Sequence, residues 1–204
     1  LSGAGIIPRR PIQVAYFTDE EGSRFPPDML GSLVYVGGLA LEEALDARAH
    51  DDGARLGDEL SRIGYDGSMP CPAASFPHAY VELHIEQGPV LEAEGVTIGA
   101  VTEVQGISWT ELTVTGQSAH AGTTPMRLRH DPLVVAARVV AEARAIAMRM
   151  GGAQVATVGR MGVFPDLVNV VPARVSFTVD LRNTDELRLQ EAEQALFSFA
   201  RTMA

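Results

Sequence analysis

The sequence predicts an α/β fold in two domains, an α/β domain over residues 1–105 and a ferredoxin-like α+β domain over residues 106–204. In the first domain, short β-rich apolar segments alternate with stretches whose apolar residues recur at helical spacing. In the second, the predicted order is strand, helix, strand, strand and helix, which is a ferredoxin-like split unit that lacks its last strand. These two patterns together define the fold class.

The first domain is predicted to combine extended segments with short helices. Residues 12–18 are apolar and β-rich after a proline turn, which favours a buried strand. Residues 80–85 alternate between polar and apolar side chains, and residues 96–104 are predicted to form a further strand. The predicted helices lie within 38–50, over 56–63 and over 90–94, where Pro89 suits the first turn.

The second domain opens with residues 107–114, whose alternation predicts a strand with one apolar and one polar face. A glycine-rich turn over 116–124 follows. Asp131 and Pro132 then begin a long helix that ends near Met150, because proline fits the first turn of a helix. The remaining predicted elements are strands at 155–163 and 174–181 and a helix at 185–203 capped by Thr184.

Composition narrows the class of ligand and the cellular location. The formal net charge of −10 argues against nucleic acid or an anionic membrane as a partner, and favours a small molecule or a cation. Cys71 is the only cysteine in the sequence, so a disulfide framework is excluded and a reducing cytoplasm is expected. Residues 1–7 resemble the end of a helix and lack an initiating methionine, so we expect the natural N terminus to lie upstream.

Three side chains of the first domain could bind a metal ion or act beside one. Glu20 and Glu21 follow the first predicted strand, and neighbouring side chains point in different directions. One carboxylate can therefore hold a metal ion while the other acts on water as a general base, unless the acidic run only caps a helix or lies in solvent. His84 could be a further ligand, or a structural histidine that is hydrogen-bonded within its strand.

Three further candidates lie in the second domain. His120 lies in the glycine-rich turn, where it could donate to a developing oxyanion or bond to its own loop. Asn169 and Arg182 offer an amide and a guanidinium that suit a substrate carboxylate if they converge on one spot. The alternatives are a loop cap for Asn169 and an exposed strand end for Arg182.

Five segments containing these residues occur in an order and spacing that resemble the amidase branch of the dinuclear-metal M20-type peptidases. This branch includes N-carbamoyl-L-amino-acid hydrolases, allantoate amidohydrolase and ureidoglycolate amidohydrolase. The resemblance covers essentially the whole chain, and its segments are 18–25, 84–89, 116–124, 168–172 and 180–182. It implies that the first domain is part of a metallopeptidase-like α/β catalytic domain and that the second is a lid/dimerisation domain.

The resemblance also implies roles for the candidate residues. Glu20 would be the general base, while Glu21 and His84 would bind two divalent ions, zinc or manganese. His120 would donate to the oxyanion in the partner subunit's site, across a homodimer formed by the lid. The residues implied to bind a small substrate with a carboxylate and a ureido group are Gln87, Asn169 and Arg182.

Some parts of the family pattern have no counterpart in this sequence. An upstream His-x-Asp motif, a bridging aspartate and a distal histidine are missing, which predicts an incomplete and inactive fragment of the enzyme. Residues 50–52 spell His-x-Asp, but they follow Glu20 and Glu21, so we reject them as the metal motif. Within the family, allantoate or ureidoglycolate hydrolysis is the alternative to hydrolysis of N-carbamoyl-L-amino acids. Outside enzymes, the alternative is a non-catalytic dimerisation or binding module.

Overall fold

A computed structural model describes residues 2–5, 7–73 and 75–203, and the chain divides into two compact units, Leu1–Ile85 and Glu86–Ala204. None of the described helices is long and apolar enough to span a membrane. A 3-10 helix at Ser2–Ala4 lies where the sequence suggests a helix end, and Leu1 and Ile6 of that segment lie outside the described residues.

The first unit contains three short α-helices around a small apolar core. They are α1 (Leu30–Val36), α2 (Leu41–Asp46) and α3 (Leu56–Ile63). The helix expected within 38–50 and the one expected over 56–63 are both confirmed, whereas α1 was not predicted. The buried side chains of this core are those of Phe25, Leu30, Val34, Ala44, Ala49 and Leu56.

The strands predicted before residue 105 are absent from the described part of the chain. Residues 12–18, 80–85 and 96–104 are irregular. In the first of these segments the side chain of Val14 is 75% exposed and that of Tyr16 is 93% exposed. The prediction of a buried strand is therefore wrong for this structure. The physical reason is that a strand needs a neighbour for its backbone groups, and no described segment pairs with these three.

The second unit is built on an antiparallel sheet. Strand β1 (Gly106–Thr115) pairs along its whole length with β6 (Arg174–Asn183). Two short strands, β3 (Val155–Thr157) and β4 (Met161–Phe164), pair with the other edge of β6, so the one strand predicted at 155–163 is interrupted. The strand order β1-β6-β3 agrees with the predicted split unit.

Two long helices cover one face of this sheet. They are α5 (Pro132–Met150) and α6 (Glu186–Met203), and a short helix α4 (Val90–Glu94) comes before the sheet. Every second residue of β6 is buried, which places one row of side chains against the helices. The buried core consists of Val175, Phe177, Val179 and Leu181 of β6 with Ala136, Val139, Ala143 and Ile146 of α5 and Leu189, Ala192 and Leu196 of α6.

The starts of the two long helices test the predicted caps. Asp131 caps α5, because its side chain accepts a hydrogen bond from the Leu133 amide at 3.0 Å. The prediction of Thr184 as the cap of α6 is wrong. The Asp185 carboxylate instead accepts from the amides of Leu187 at 2.9 Å and Arg188 at 3.2 Å. A carboxylate serves this position well, since it also complements the positive end of the helix dipole.

A second, shorter ladder extends from one end of the main sheet. Strand β2 (Ala119–His120) pairs antiparallel with β5 (Val170–Val171). The amide of Gly116 donates to the Ala173 carbonyl at 2.7 Å, which links this ladder to the Thr115–Arg174 end of the β1–β6 pair. The β2–β5 ladder therefore continues beyond the Thr115–Arg174 end of the β1–β6 pair.

Candidate functional site

The acidic pair Glu20 and Glu21 lies in a turn that is fixed against the start of α1. The Met29 amide donates to the Glu20 carbonyl at 2.6 Å, and the Gly31 amide donates to the Thr18 carbonyl at 2.9 Å. A β-carbon at position 31 would lie only 2.6 Å from the Thr18 nitrogen. Glycine at this position therefore allows the helix to approach the backbone of the acidic turn.

His84 faces both carboxylates. Its Nε2 lies 3.6 Å from Glu21 Oε1 and 3.9 Å from Glu20 Oε2. Its Nδ1 donates to the Ile85 carbonyl at 2.5 Å, which leaves the lone pair of Nε2 directed at the acids. This carbonyl, followed by the charges of the two glutamates, raises the pKa of His84 against the opposing effect of desolvation.

These separations fit a compact site for divalent ions, with the ligand atoms close together. Imidazole nitrogen and carboxylate oxygen bind such ions at about 2.0–2.2 Å, so two ligand atoms on one ion lie roughly 3–4 Å apart. The distances from His84 to Glu20 and Glu21 fall in that range. The backbone carbonyl on Nδ1 is the kind of partner that commonly orients a metal-binding histidine.

Glu82 is a third acidic side chain at this point, and the sequence interpretation missed it. Potential ligand atoms of Glu20, Glu82 and His84 all lie within 4.8 Å of one another. Glu82 also accepts a hydrogen bond from the Tyr80 hydroxyl at 2.8 Å, and this bond raises the pKa of Tyr80. The signal was available, because in an extended segment residues 80, 82 and 84 point to the same side.

Arg24, which follows the acidic turn, anchors it to α3. Its Nη1 donates to Glu59 Oε2 at 2.8 Å. Arg62 binds the same carboxylate through Nε at 3.0 Å and Nη2 at 2.9 Å. Hydrogen bonds from Arg62 and then from Arg24 lower the pKa of Glu59 to about 2. The carboxylate of Glu59 therefore joins two guanidinium groups.

The sequence His50-Asp51-Asp52, which was rejected as a metal motif, is engaged by the same arginine. Arg24 Nη2 lies 3.1 Å from Asp52 Oδ2, and Arg24 Nε lies 3.5 Å from Asp51 Oδ1. Asp52 also accepts from the Ala54 amide at 2.9 Å, as in an Asx turn. These carboxylates shape an exposed loop and pair with a guanidinium group.

Among the described residues, His120 is bonded to its own loop through Nδ1. Its Nδ1 accepts from the amides of Gly122 at 3.0 Å and Thr123 at 3.3 Å. Because an accepting nitrogen carries no proton, the neutral ring has its proton on Nε2. The loop contact that we weighed as an alternative therefore leaves Nε2–H available as a donor.

Asn169 and Arg182 do not converge within one chain. The Asn169 carbonyl accepts from the Ala121 amide at 2.9 Å, so Asn169 lies beside His120, beyond the Arg174 end of β6. Arg182 is near the other end of β6, about 26 Å from Arg174 at about 3.3 Å per residue.

Arg182 itself is held by a neighbour on the same face of β6. Its Nε lies 3.1 Å and its Nη2 2.8 Å from the Asp180 carboxylate. This interaction raises the pKa of Arg182. The pKa of Asp180 is lowered, because hydrogen bonds from Arg182 and Trp109 outweigh its desolvation. The guanidinium keeps further N–H groups beyond those used by Asp180.

Gln87 occupies the turn between the segment of His84 and α4, with a left-handed φ of 54°. The preceding Glu86 carboxylate accepts from the amides of Val90 at 3.1 Å and Leu91 at 3.0 Å. The Glu86 carboxylate thus satisfies two amides in the first turn of α4, a role that the sequence interpretation did not assign. The role of Gln87 beside a substrate stays a prediction.

Comparison with known proteins adds independent findings. Residues 102–204 match the family model of the peptidase dimerisation domain of the M20 type. An N-carbamoyl-L-amino-acid amidohydrolase of Rhizobium meliloti is 44% identical over 93% of this chain and 45% of its own length. An allantoate amidohydrolase of Escherichia coli is 37% identical over 93% of this chain and 46% of its own length.

A solved structure agrees with these relatives. An amidase of the hydantoinase/carbamoylase family from Burkholderia multivorans is 47% identical and aligns with a TM-score of 0.87, over 100% of this chain and 49% of that one. The chain spans about half the length of the relatives that it matches. It belongs to the M20-type amidohydrolase family, in the branch of the N-carbamoyl-L-amino-acid hydrolases and allantoate amidohydrolases.

Proposed function

We propose that the protein expressed from its complete gene hydrolyses the C–N bond of N-carbamoyl-L-amino acids with the help of divalent metal ions. The observation that carries the proposal is the convergence of His84 Nε2 with Glu21 at 3.6 Å and Glu20 at 3.9 Å. Relatives named for this activity support it, at 44% and 41% identity. Residues 1–105 would contribute to the catalytic domain and residues 106–204 would form the lid.

M20-type amidohydrolases generally use divalent metal ions. We propose two ions, zinc or manganese, because imidazole and carboxylate accept both. Glu21 would hold one ion and His84 the other, and the hydrogen bond from His84 Nδ1 to the Ile85 carbonyl would orient the ring for this role. When bound, such ions polarise the substrate carbonyl and make water a better nucleophile.

Glu20 and His120 would carry the proton transfer and the charge stabilisation. Glu20 would take a proton from water and pass it to the leaving nitrogen. His120 Nε2–H would donate to the oxyanion, a contact consistent with the amides that occupy its Nδ1. Loss of one such donor costs about 3 kcal/mol in comparable enzymes.

Asn169 and Arg182 would bind the substrate carboxylate, with Gln87 near the substrate. Since Asn169 and His120 lie together and Arg182 lies near the opposite end of β6, one chain does not supply all three at one point. We therefore infer a homodimer in which His120 and Asn169 of one protomer serve the site that contains Arg182 of the other. The cytoplasmic location expected from the single cysteine stays a prediction.

Hydrolysis of allantoate or ureidoglycolate is the second candidate. The Escherichia coli relative named allantoate amidohydrolase is 37% identical. Those substrates carry the same carboxylate and ureido groups, so Arg182 and Asn169 would serve them equally. Release of ammonia from each substrate under one set of conditions distinguishes the candidates.

The decisive experiment uses protein from the complete gene and measures bound metal and ammonia release. Glu20→Gln should keep its metal and lower kcat by about 100-fold or more, since it removes the general base. Glu21→Gln should lose metal as well as activity, and Glu42→Gln on α2 serves as the matched control. Turnover that persists in Glu20→Gln removes it from the base role. No metal and no ammonia from the wild-type protein would support the non-catalytic module instead.

A further inference from the structure

The guanidinium of Arg129 ties together the loop that carries His120. Its Nη2 donates to the Ala121 carbonyl at 2.7 Å, and its Nε donates to the Thr124 carbonyl at 3.0 Å. Arg129 is half-buried, and it forms no ion pair with any carboxylate that the structure describes. Its hydrogen-bonding capacity in the described part of the chain is thus directed at two backbone carbonyls of one loop.

A backbone hydrogen bond closes the base of this loop, next to Arg129 in the chain. The Gln117 amide donates to the His130 carbonyl at 2.9 Å, which joins the start of the loop to its end. A β-carbon at Gly116 would collide with the same carbonyl and would lie 2.5 Å from Pro132 Cδ. The side chain of Arg129 therefore begins beside a closed backbone junction and reaches back into the loop.

The two carbonyls that Arg129 holds lie on either side of the amides that contact His120. The Gly122 and Thr123 amides donate to Nδ1 at 3.0 and 3.3 Å, and they lie between Ala121 and Thr124 in the chain. Because a peptide unit is planar, holding the Ala121 carbonyl also orients the Gly122 N–H of the same unit, and the bond to the Thr124 carbonyl restrains the loop on the other side of Thr123. The loop segment that presents both amides to His120 is therefore held at both ends by one guanidinium.

We propose that Arg129 is a positioning residue that, through these two amides, keeps His120 in the tautomer with its proton on Nε2. This inference rests on the proposed role of His120 as the oxyanion donor. Arginine suits the task because its planar fork offers two donors in a fixed geometry, whereas the ammonium group of lysine is a compact point charge.

Kinetics with protein from the complete gene give the first test. Arg129→Met should lower kcat for an N-carbamoyl amino acid by about 100-fold, as expected for a displaced catalytic group, while KM changes by less than about threefold. Arg127→Met is the matched control, because Arg127 is exposed and has no hydrogen bond among the described residues. It should keep wild-type kcat.

Arg129→Lys extends the test if the methionine variant does not fold. It keeps the charge and loses the paired donors, so kcat should fall between the values of the wild type and Arg129→Met. A folded Arg129→Lys or Arg129→Met protein with wild-type kcat overturns the proposal.

The second readout reports on His120 without turnover. In protein labelled with ¹⁵N-histidine, long-range ring correlations should show the Nε2–H tautomer at His120, assigned by its loss in His120→Asn. Arg129→Met should convert this signal to a mixture of tautomers, whereas Arg127→Met should leave it unchanged. An unchanged ring signal in Arg129→Met contradicts the inference. If the wild type hydrolyses no ureido substrate, the proposed function fails, and the ring signal still decides the role of Arg129.

Discussion

In the second unit, β6 is paired along both edges and two helices cover one of its faces, so that Phe177 is 1% exposed. In the first unit, residues 12–18 have a larger apolar fraction than β6, yet Val14 is 75% exposed. Both segments carry a strand-like sequence. Only β6 finds paired backbone groups and a covering layer among the described residues. The difference shows that burial depends on partners supplied elsewhere in the chain, even where local sequence is favourable.

The same contrast separates the two groups of candidate site residues. His120 lies on a strand of the β2–β5 ladder, and Arg182 lies on β6. Glu20 and Glu21 lie in a turn that two hydrogen bonds hold to the start of α1, and His84 lies on irregular backbone. The predicted metal ligands therefore lie outside any helix or strand. The turn of Glu20 and Glu21 is held by hydrogen bonds and by the ion pairs of Arg24, whereas Arg182 lies on a strand of a packed sheet.

Truncation of one side chain in each unit is the most direct test of this difference in burial. Phe177→Ala should destabilise the second unit by about 3–5 kcal/mol, because it leaves a cavity in a packed core. Val14→Ala should change stability by less than about 0.5 kcal/mol, as for other exposed sites. Urea unfolding of residues 1–204 reports both, since the single tryptophan, Trp109, lies in the second unit and all four tyrosines lie in the first.

A large cost for Val14→Ala would contradict the comparison. It would mean that residues 12–18 are buried in solution, as their sequence predicts. Tyrosine near-ultraviolet circular dichroism should follow that loss in the first unit, while Trp109 fluorescence stays unchanged.

Removal of a helix cap in the second unit should have a smaller effect on stability, and the neighbouring residue provides the control. Asp185→Ala should destabilise this unit by about 1 kcal/mol, because the amides of Leu187 and Arg188 lose their acceptor. Thr184→Ala should stay within about 0.5 kcal/mol of the wild type. Unfolding followed by Trp109 fluorescence measures both variants. Equal costs at the two positions would restore Thr184 as the cap.

The helices and strands that were predicted correctly are those whose signals come from residues close together in the sequence. Helices α3 and α5 follow from apolar spacing and from Asp131 and Pro132, which act within one turn. Strand β1 was predicted because residues 107–114 alternate, as the strand of a sheet covered on one face does. Residues 12–18 failed because strand pairing joins distant segments, and the local pattern does not state whether a partner is present.

The candidate site shows the same limit. Glu20, Glu21 and His84 were identified by resemblance to known motifs, since Glu21 and His84 are 63 positions apart and spacing alone does not give their geometry. Glu82 was missed although its period-two relation to His84 is visible in the sequence. The proton position on His120 depends on the loop amides of Gly122 and Thr123, and residue types do not encode their orientation.

The ion pairs of Glu59 in the first unit give the smallest predicted effect on stability, and this effect depends on pH. The pKa of Glu59 is lowered from 4.5 to about 2 by Arg62 and Arg24. A carboxylate whose pKa is lower in the folded state than in the unfolded state stabilises the folded state. This stabilisation is complete when the pH is above the pKa of the unfolded state. This contribution is lost as the pH falls from about 4.5 towards 2. Solvent screening keeps the effect modest.

Acid unfolding of residues 1–204, followed through the tyrosines of the first unit, measures this loss. Glu59→Gln should be less stable than the wild type above about pH 4.5, and the difference should shrink as the pH falls, because the variant has no carboxylate to protonate. Glu42→Gln is the control, since Glu42 is exposed and forms no ion pair among the described residues. A Glu59→Gln protein with the acid profile of Glu42→Gln would show that Arg24 and Arg62 hold the first unit without help from this carboxylate. The acidic turn would then be held by the Met29 and Gly31 amides and by the contacts of Arg24 with Asp51 and Asp52.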